Sequence, residues 1–263
     1  MAVWEKFEFD CTDYLNDRFG AYATFIHEGG SDSTVPDIKV KTHSGKVFYV
    51  DVKHCPAQCG QFVLLPNLAT RSFEYSRLNA TSINWCVEMI MDHMDDSFEE
   101  FKEAGTSGKD IIMPNGPAIF ADWIIYTYKN KGVEFFITNN YTIVPIDRFL
   151  DFFTVTAKYR IKRSGSNSVG KGNLAVVSRH IQCGGFDVKE MRTDDSKLFV
   201  SSTRNIHNTR FIINGTEYMF SERGSEYEIR KLSNTFNANV IFSIDLKTTR
   251  GGVSDADFIC LLK

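Results

Sequence analysis

The strongest constraint on the fold is the stretch VPDIKVKTHSGKVFYVDVKHC, which covers residues 35 to 55. Two runs rich in β-branched and aromatic residues, Asp37 to Lys41 and Lys46 to Lys53, are separated by His43-Ser44-Gly45. A glycine at the end of such a short connection suits a three-residue hairpin loop. The stretch therefore predicts an antiparallel β-hairpin. One face of its second strand is wholly apolar and should pack into a core: Phe48, Val50 and Val52.

The register of this hairpin brings charged side chains together. A three-residue loop places Asp37 opposite Asp51, with Cβ atoms about 5 Å apart. Lys53 shares the face of Asp51 because the side-chain period of a strand is two. Two carboxylates this close repel each other unless a cation lies between them, and Mg²⁺ commonly binds through one or two carboxylates. The hairpin therefore predicts a Mg²⁺ site at one end of the sheet.

Composition limits the class of protein. The chain has 263 residues, 43% of them hydrophobic and 13% aromatic, which is enough for a packed globular core. A formal net charge of −3 excludes a globally basic protein, so any nucleic-acid binding must come from a local surface. No apolar run reaches the roughly 20 residues needed to cross a bilayer, and six cysteines are scattered without a disulfide-like framework. We expect a cytoplasmic protein with no membrane segment.

The first half of the chain predicts a mixed sheet with helices on its faces. Apolar residues recur at helical spacing over residues 3 to 18, and a second helical region follows Thr81 or Ser82 as its cap. We interpret ADWIIYTYK and VEFFITN as two buried strands and IDRFLDFF as another helix. From residue 156 onward, short strands alternate with Gly- and Ser-rich stretches. The predicted fold is an α/β core over residues 1 to 155, followed by an α+β region over residues 156 to 263.

A helix that carries a glutamate, then Pro36-Asp37, then Asp51-Val52-Lys53, resembles the PD-(D/E)xK nuclease superfamily, especially its type II restriction endonucleases. The resemblance covers about residues 1 to 155. Glu8 matches the helix glutamate of the family because it lies close to the buried face of the first helix. The resemblance implies a restriction-endonuclease-like α-β-β-β-α-β core and cleavage of duplex DNA that leaves 5′-phosphate ends.

The same resemblance implies a role for each motif residue. Asp37, Asp51 and the carbonyl of Val52 are expected to hold Mg²⁺. Lys53 is expected to position or deprotonate the attacking water and to stabilise charge on the phosphate. Glu8 is expected to support a water on the metal or a second ion.

Two glutamines follow the motif in AQCGQF. Gln58 and Gln61 could reach the phosphate or a water near the metal. They could equally be loop amides that cap the backbone.

Two parts of the second half predict DNA contacts. The segment KYRIKRSGSNSVGKGN concentrates positive charge near several glycines, as a phosphate-binding loop would. Farther on, arginine and asparagine side chains precede or enter a hairpin turned by Asn214-Gly215, and these residue types pair with base edges. A solvated loop and ordinary strand-edge polarity remain the alternatives. The predicted DNA-binding residues are Arg160, Lys162, Arg163, Ser164, Lys171, Arg204, Asn208 and Arg210.

We therefore expect a Mg²⁺-dependent type II restriction endonuclease that binds double-stranded DNA as a homodimer. A homodimer suits a palindromic target because both share a two-fold axis. Two alternatives remain open at this stage. One is a PD-(D/E)xK nuclease of DNA repair or junction resolution, and the other is a DNA-binding protein without catalytic activity.

Overall fold

A computed structural model describes residues 3–30, 35–247 and 251–263. The first part of the chain begins with a helix and five strands, and then alternates between helices and short strands. Its elements are α1 (Val3–Phe19), β1 (Ala23–His27), β2 (Ile38–Thr42), β3 (Val47–Lys53), β4 (Ala57–Asn67), β5 (Ser72–Tyr75), α2 (Trp85–Asp96), α3 (Phe98–Phe101), β6 (Lys109–Asp110), α4 (Gly116–Asn130), β7 (Val133–Thr138), β8 (Thr142–Pro145) and α5 (Phe149–Phe152).

The rest of the chain is mostly β-structure. Its elements are β9 (Phe153–Arg163), β10 (Ser166–Ser168), α6 (Leu174–Cys183), β11 (Glu190–Asp194), β12 (Lys197–Ser201), β13 (Arg210–Ile213), β14 (Thr216–Arg223), β15 (Glu226–Leu232), β16 (Phe236–Leu246) and α7 (Asp255–Leu262). The mixed α/β architecture expected from the sequence is confirmed.

The sheet that carries the hairpin has the strand order β1-β2-β3-β7-β8, with β3 and β7 parallel. Helices α1 and α7 cover one of its faces. The Phe258 ring of α7 packs against Phe19 of α1 and Phe135 of β7, with ring centroids 4.9 and 5.2 Å apart. The apolar face predicted for the second hairpin strand is buried in this core: Phe48, Val50 and Val52.

Helix α4 occupies the region that we expected to be a strand, ADWIIYTYK, so that prediction is wrong. Pro117 lies in the first turn, where a missing backbone N–H costs nothing. The buried positions Phe120, Trp123 and Thr127 that follow recur every three or four residues. A short run that is apolar throughout has neither the period of a helix nor that of a strand. The run alone therefore did not distinguish the two.

The corrected helix restores the α-β-β-β-α-β order that the resemblance implied, with β4 to β6 and two helices inserted before α4. Helix α2 also begins later than expected. Asn84, rather than Thr81 or Ser82, is its cap, and the Asn84 side chain accepts a hydrogen bond from the Val87 N–H at 3.1 Å.

A second sheet has the order β5-β4-β16-β9-β6. Helix α4 packs between it and the first sheet. Trp123 contacts Phe242 of β16 with ring centroids 4.6 Å apart, and Tyr128 contacts Phe136 of β7 at 5.1 Å. Strand β16 contains the largely buried run NANVIFSIDL, and it pairs with β4.

The chain forms two compact units, Met1–Arg160 with Ala238–Lys263, and Ile161–Asn237. These units differ from the expected division after residue 155, because the C-terminal residues from 238 onward belong to the first unit. The physical reason is that β16 completes the second sheet and α7 covers the first. No helix in the described part of the chain is long and apolar enough to cross a bilayer.

The second unit contains a sheet of order β11-β12-β15-β14-β13, with β10 paired to β15. The predicted hairpin is confirmed, since Ile213 pairs with Thr216 and both Asn214 and Gly215 adopt positive φ. Ser225 precedes a strand, not a helix. The residues after it form β15, whose positions alternate across the sheet and pair with β12 and β14.

Candidate active site

The β2–β3 hairpin places Asp37 and Asp51 as the sequence predicts. Ile38 pairs with Val50, and Gly45 closes the three-residue loop with φ of +92°. One step further along this register Asp37 lies opposite Asp51. The Asp37 carboxylate accepts a hydrogen bond from the Val52 N–H at 2.8 Å, which ties it to β3. Its own carbonyl accepts from the N–H groups of Glu28 and Gly29, at 2.8 and 2.9 Å.

Lys53 and Asp51 meet on the face of β3 that points away from α1. The Lys53 ammonium donates to the Asp51 carboxylate and, at 3.2 Å, to the carbonyl of Val52. It also lies 5.4 Å from the centre of the Tyr128 ring on α4. Beyond Lys53 the chain is held by Asn139, whose side chain bonds both the N–H and the carbonyl of Cys55. These contacts fix the end of β3 against β7 and α4.

Glu8 joins the site from α1. Only 8% of Glu8 is exposed, and its carboxylate lies 3.1 Å from the Nε2 atom of His27 on β1. The His27 ring is packed against Phe9, with centroids 4.2 Å apart. The helix face that the sequence assigned to Glu8 is therefore correct, whereas His27 was missed.

Gly29 allows these groups to converge. A Cβ atom at this position would lie 2.7 Å from the Glu8 carboxylate, 3.1 Å from that of Asp37 and 3.1 Å from His27. The first of these distances is too short for a real Cβ contact, so the Glu8 carboxylate would have to move if residue 29 had a side chain. We had assigned no role to the Gly-Gly pair at 29 and 30.

The electrostatics of the site are unfavourable without a bound cation. Burial, and then the neighbouring charge of Asp51, raise the pKa of Asp37 from 3.8 to about 7, although Lys53 and the Val52 N–H oppose this. Burial alone would lower the pKa of Lys53. The neighbouring acidic groups, with the Asp51 carboxylate contributing most, raise it well above its ordinary value. Lys53 is therefore held as a cation beside the Asp51 carboxylate.

The donor set fits Mg²⁺. Among the described residues, no group of three or more His, Cys, Asp or Glu side chains is arranged to bind a metal alone. Mg²⁺, however, keeps several waters and requires only one or two carboxylates. The Lys53 ammonium already contacts the Asp51 carboxylate and the Val52 carbonyl, so two of the three predicted ligand groups face a cation. Mg²⁺ binding by Asp37, Asp51 and Val52 stays a prediction.

Gln58 and Gln61 lie on β4, at the edge of a cleft that Lys53 also lines. The Gln58 amide donates to the side-chain oxygen of Gln61 at 3.2 Å, and both residues are exposed. Neither caps a backbone group among the hydrogen bonds of the described residues. The structure thus places both glutamines beside the motif.

The basic segment is not a single loop. Arg160, Lys162 and Arg163 lie on β9 rather than in a Gly-rich turn, because alternate residues of this strand are buried in the core. Arg163 forms an ion pair with Glu217, and Lys171 lies 2.5 Å from Asp195. Ser164 donates to the Asn237 side chain at 3.0 Å. Their contact with DNA stays a prediction.

The three residues expected to read bases are in the second unit. Arg204 is highly exposed and lies 3.8 Å from Asp187. Arg210 begins β13 and lies 3.5 Å from Glu217. The backbone N–H of Asn208 donates to the Phe220 carbonyl at 2.8 Å, and Asn208 has a positive φ of 62°. Asn208 therefore lies in a turn just before β13.

Comparison with known proteins identifies the family. No family model and no curated protein matches the chain. A solved structure of HhaI endonuclease in complex with DNA matches with a TM-score of 0.76 and 36% sequence identity, over 99% of this chain and 99% of that chain. The match includes both the hairpin with its PD and DxK residues and the second unit. The chain thus belongs to the family of HhaI endonuclease, a type II restriction endonuclease of the PD-(D/E)xK class.

Proposed function

We propose that this protein is a Mg²⁺-dependent endonuclease that cleaves duplex DNA at a short specific sequence and leaves 5′-phosphate ends. The observation that carries the proposal is the convergence of Asp37, Asp51 and Lys53 at one end of a buried hairpin. Two buried carboxylates this close are unfavourable for folding alone, so a function that uses them accounts for their presence.

The motif residues divide the chemistry between them. Asp37, Asp51 and the Val52 carbonyl would hold Mg²⁺, which supplies a Lewis acid that lowers the pKa of water and neutralises phosphate charge. The Lys53 ammonium lies on the same face and stabilises the negative charge that develops on the phosphate oxygens. As the water oxygen bonds to phosphorus, the bond to the 3′ oxygen breaks. The phosphate therefore remains on the 5′ side of the next nucleotide.

Glu8 acts from the other side of Asp37. Its carboxylate is directed toward Gly29, next to one oxygen of Asp37, and is oriented by His27. From this position Glu8 would hold a water or a second cation close to the phosphate. We assign Glu8 a supporting role because it makes no contact with Lys53, which contacts Asp51 and the Val52 carbonyl.

Duplex DNA is the proposed substrate, and two observations support it. The related HhaI endonuclease was solved in complex with DNA, and the match to it includes the second unit as well as the first. The proposed phosphate contacts are Arg160, Lys162, Arg163, Ser164 and Lys171, and the proposed base contacts are Arg204, Asn208 and Arg210. A homodimer bound to a palindromic site is the expected assembly.

Digestion of phage DNA with Mg²⁺, followed by sequencing of the ends, tests the proposal. We expect a fixed set of fragments whose ends share one short sequence and carry 5′-phosphates. Fragments that depend on DNA branches or damage would instead indicate a repair or junction nuclease. DNA that is bound but intact with either Mg²⁺ or Mn²⁺ would indicate a binding protein. Light scattering of the protein on its site gives the oligomeric state.

A further inference from the structure

A cleft of about 770 Å³ opens beside Lys53, between β4, the chain before α2 and the second half of α4. The carboxylates of Asp37 and Asp51 are not part of its lining. We call it the flanking cleft. The residues that define it are Lys53, Gln58, Gln61, Thr81, Ser82 and Lys131.

The lining of the flanking cleft suits an anion. It contains two lysines, two glutamines and several hydroxyl groups, and no Asp or Glu belongs to the lining in the described part of the chain. The ammonium of Lys131 lies 5.4 Å from the Tyr128 ring, on which Lys53 also packs. The two lysines are thus held near one aromatic ring. Ammonium, amide and hydroxyl groups all donate hydrogen bonds to phosphate oxygens.

Two buried polar atoms of the cleft lack partners. Among the described residues, the indole N–H of Trp123 and the hydroxyl of Thr127 have no hydrogen-bond partner, although Trp123 is 1% and Thr127 7% exposed. They are four residues apart on α4, and therefore share a face of the helix. Both residues line the cleft. Both atoms are closed off from solvent, so they add unpaired polar groups to the wall behind the cleft rather than a surface that a ligand touches.

Strand β4 packs tightly against the Trp123 ring in the wall of the cleft. Gly60 on β4 adopts a φ of +95°, and a Cβ atom there would lie 2.6 Å from the Trp123 ring. The backbone of β4 can therefore reach the indole only because residue 60 is glycine. This contact holds Trp123 against the strand that carries Gln58 and Gln61.

We propose that the flanking cleft binds the phosphate and sugar of the nucleotide next to the scissile phosphate on the cleaved strand. This inference rests on the proposed endonuclease function. Lys53 lies on the wall of the cleft, so a strand whose scissile phosphate is at Lys53 continues into it. Lys131, Thr81 and Ser82 hold the adjacent phosphate, while Gln58 and Gln61 contact the sugar or base edge. The cleft is too large for a phosphate alone.

Single methylphosphonate substitutions test this directly, since each removes the charge of one phosphate. On the site found by end sequencing, a neutral phosphate next to the cleaved bond should slow single-turnover cleavage by wild type about tenfold. Lys131→Gln should be slow on ordinary DNA but show no further loss at that same phosphate. Lys129→Gln is the matched control, because Lys129 is paired with Asp147 outside the cleft. It should behave as wild type does.

Two results would overturn the proposal. One is an equal methylphosphonate penalty in wild type and Lys131→Gln at every phosphate. The other is binding of a free deoxynucleoside monophosphate in the cleft with no effect of Lys131→Gln on DNA, which would make the cleft a mononucleotide site.

A binding measurement separates failure of the cleft from failure of the proposed function. The chain has three tryptophans, and both Trp4 and Trp85 are half exposed, so a Trp4→Phe, Trp85→Phe protein reports on Trp123 alone. Its emission should change on binding duplex DNA without divalent metal, and Lys131→Gln should weaken that binding. If this protein cut no DNA but gave that change, the cleft would stand and the catalytic proposal would fall. Unchanged emission with bound DNA would remove the cleft.

Discussion

Carboxylates are buried both at the active-site end of β3 and in the middle of β15, but their neighbours differ. Asp37 has another carboxylate beside it, whereas Glu228 has two arginines. At the active site, burial and Asp51 raise the pKa of Asp37 to about 7. On β15, burial alone would raise the pKa of Glu228, yet hydrogen bonds from Arg230 and Arg223 bring it below its usual value. The β15 carboxylate is paired with two arginines, whereas Asp37 lies beside a second carboxylate and Lys53 is the cation next to both. The direction of the pKa shift thus distinguishes a buried carboxylate that stabilises the fold from one that does not.

The largest expected effect is on cleavage. Asp51→Ala and Lys53→Ala should each lower the cleavage rate by at least about a thousandfold, because each removes a group that meets the reacting phosphate or its cation. Circular dichroism and DNA binding in Ca²⁺ should stay close to wild type. Glu8→Ala should lose less. Cleavage retained by either of the first two variants would end the catalytic interpretation of the hairpin.

The hairpin could be predicted because its information is local. A three-residue loop and a period of two determine which residues face Asp37, and no distant contact alters that register. His27 and Gly29 could not be predicted in the same way. Their importance arises where β1 meets α1, and nothing in the string ATFIHEGG shows that Glu8 lies 3.1 Å from His27. The flanking cleft was hidden for a related reason, since ADWIIYTYK is apolar enough to suit either a buried strand or helix α4.

The β15 side of the comparison predicts the largest change in stability. Glu228→Gln should lower the free energy of unfolding by about 2–3 kcal/mol, because two arginines lose the charge that neutralises them. The residue is 4% exposed, and its carboxylate lies 2.6 Å from Arg230 and 3.1 Å from Arg223. Urea unfolding measures the loss.

The pH dependence of this difference has a definite sign. The pKa of Glu228 is lower in the folded protein than its usual value of 4.5, so its stabilising effect is present above that pH and fades as the pH falls. The gap between wild type and Glu228→Gln should therefore be constant near pH 7 and narrow below about pH 4.5. A gap that widened on acidification would contradict the pairing. Arg192→Ala, which breaks an exposed pair with Glu226, is the control and should cost much less stability.

Sequence specificity offers a third test, on the arginines that are not fully engaged by carboxylates. Arg204→Ala or Arg210→Ala should cost about 1–3 kcal/mol of binding at one base pair if that arginine contacts a guanine. Binding to the cognate site should then fall much more than binding to random duplex DNA, as competition assays would show. Equal losses on both DNAs would assign these arginines to the phosphate backbone.

Removing the active-site charge should stabilise the protein. Asp37→Asn should raise the free energy of unfolding without divalent metal by about 1–2 kcal/mol at pH 8, while abolishing cleavage. The pKa of Asp37 is raised in the folded state, so wild type loses stability as the pH rises from about 4 to about 7 and the variant does not. Mg²⁺ should raise the melting temperature of wild type but hardly that of Asp37→Asn. A variant less stable than wild type at pH 8 would show that the carboxylate serves the fold.

The smallest expected effects concern the basic residues of β9 and the chain after it. If these residues contact phosphates, each neutralisation should weaken binding to all sequences alike and lower the salt slope by up to about one. Lys162 is exposed and has no ion pair among the described residues, so Lys162→Gln should show nearly the full change. Lys171→Gln should show less, because Asp195 already offsets that charge and would be left unpaired in the variant. Arg163→Gln should be intermediate and should also release Glu217 toward Arg210. Binding measured from low to moderate salt gives the three slopes. Slopes equal to that of wild type in all three variants would return these residues to the solvated surface, and DNA would have to be held by other parts of the chain.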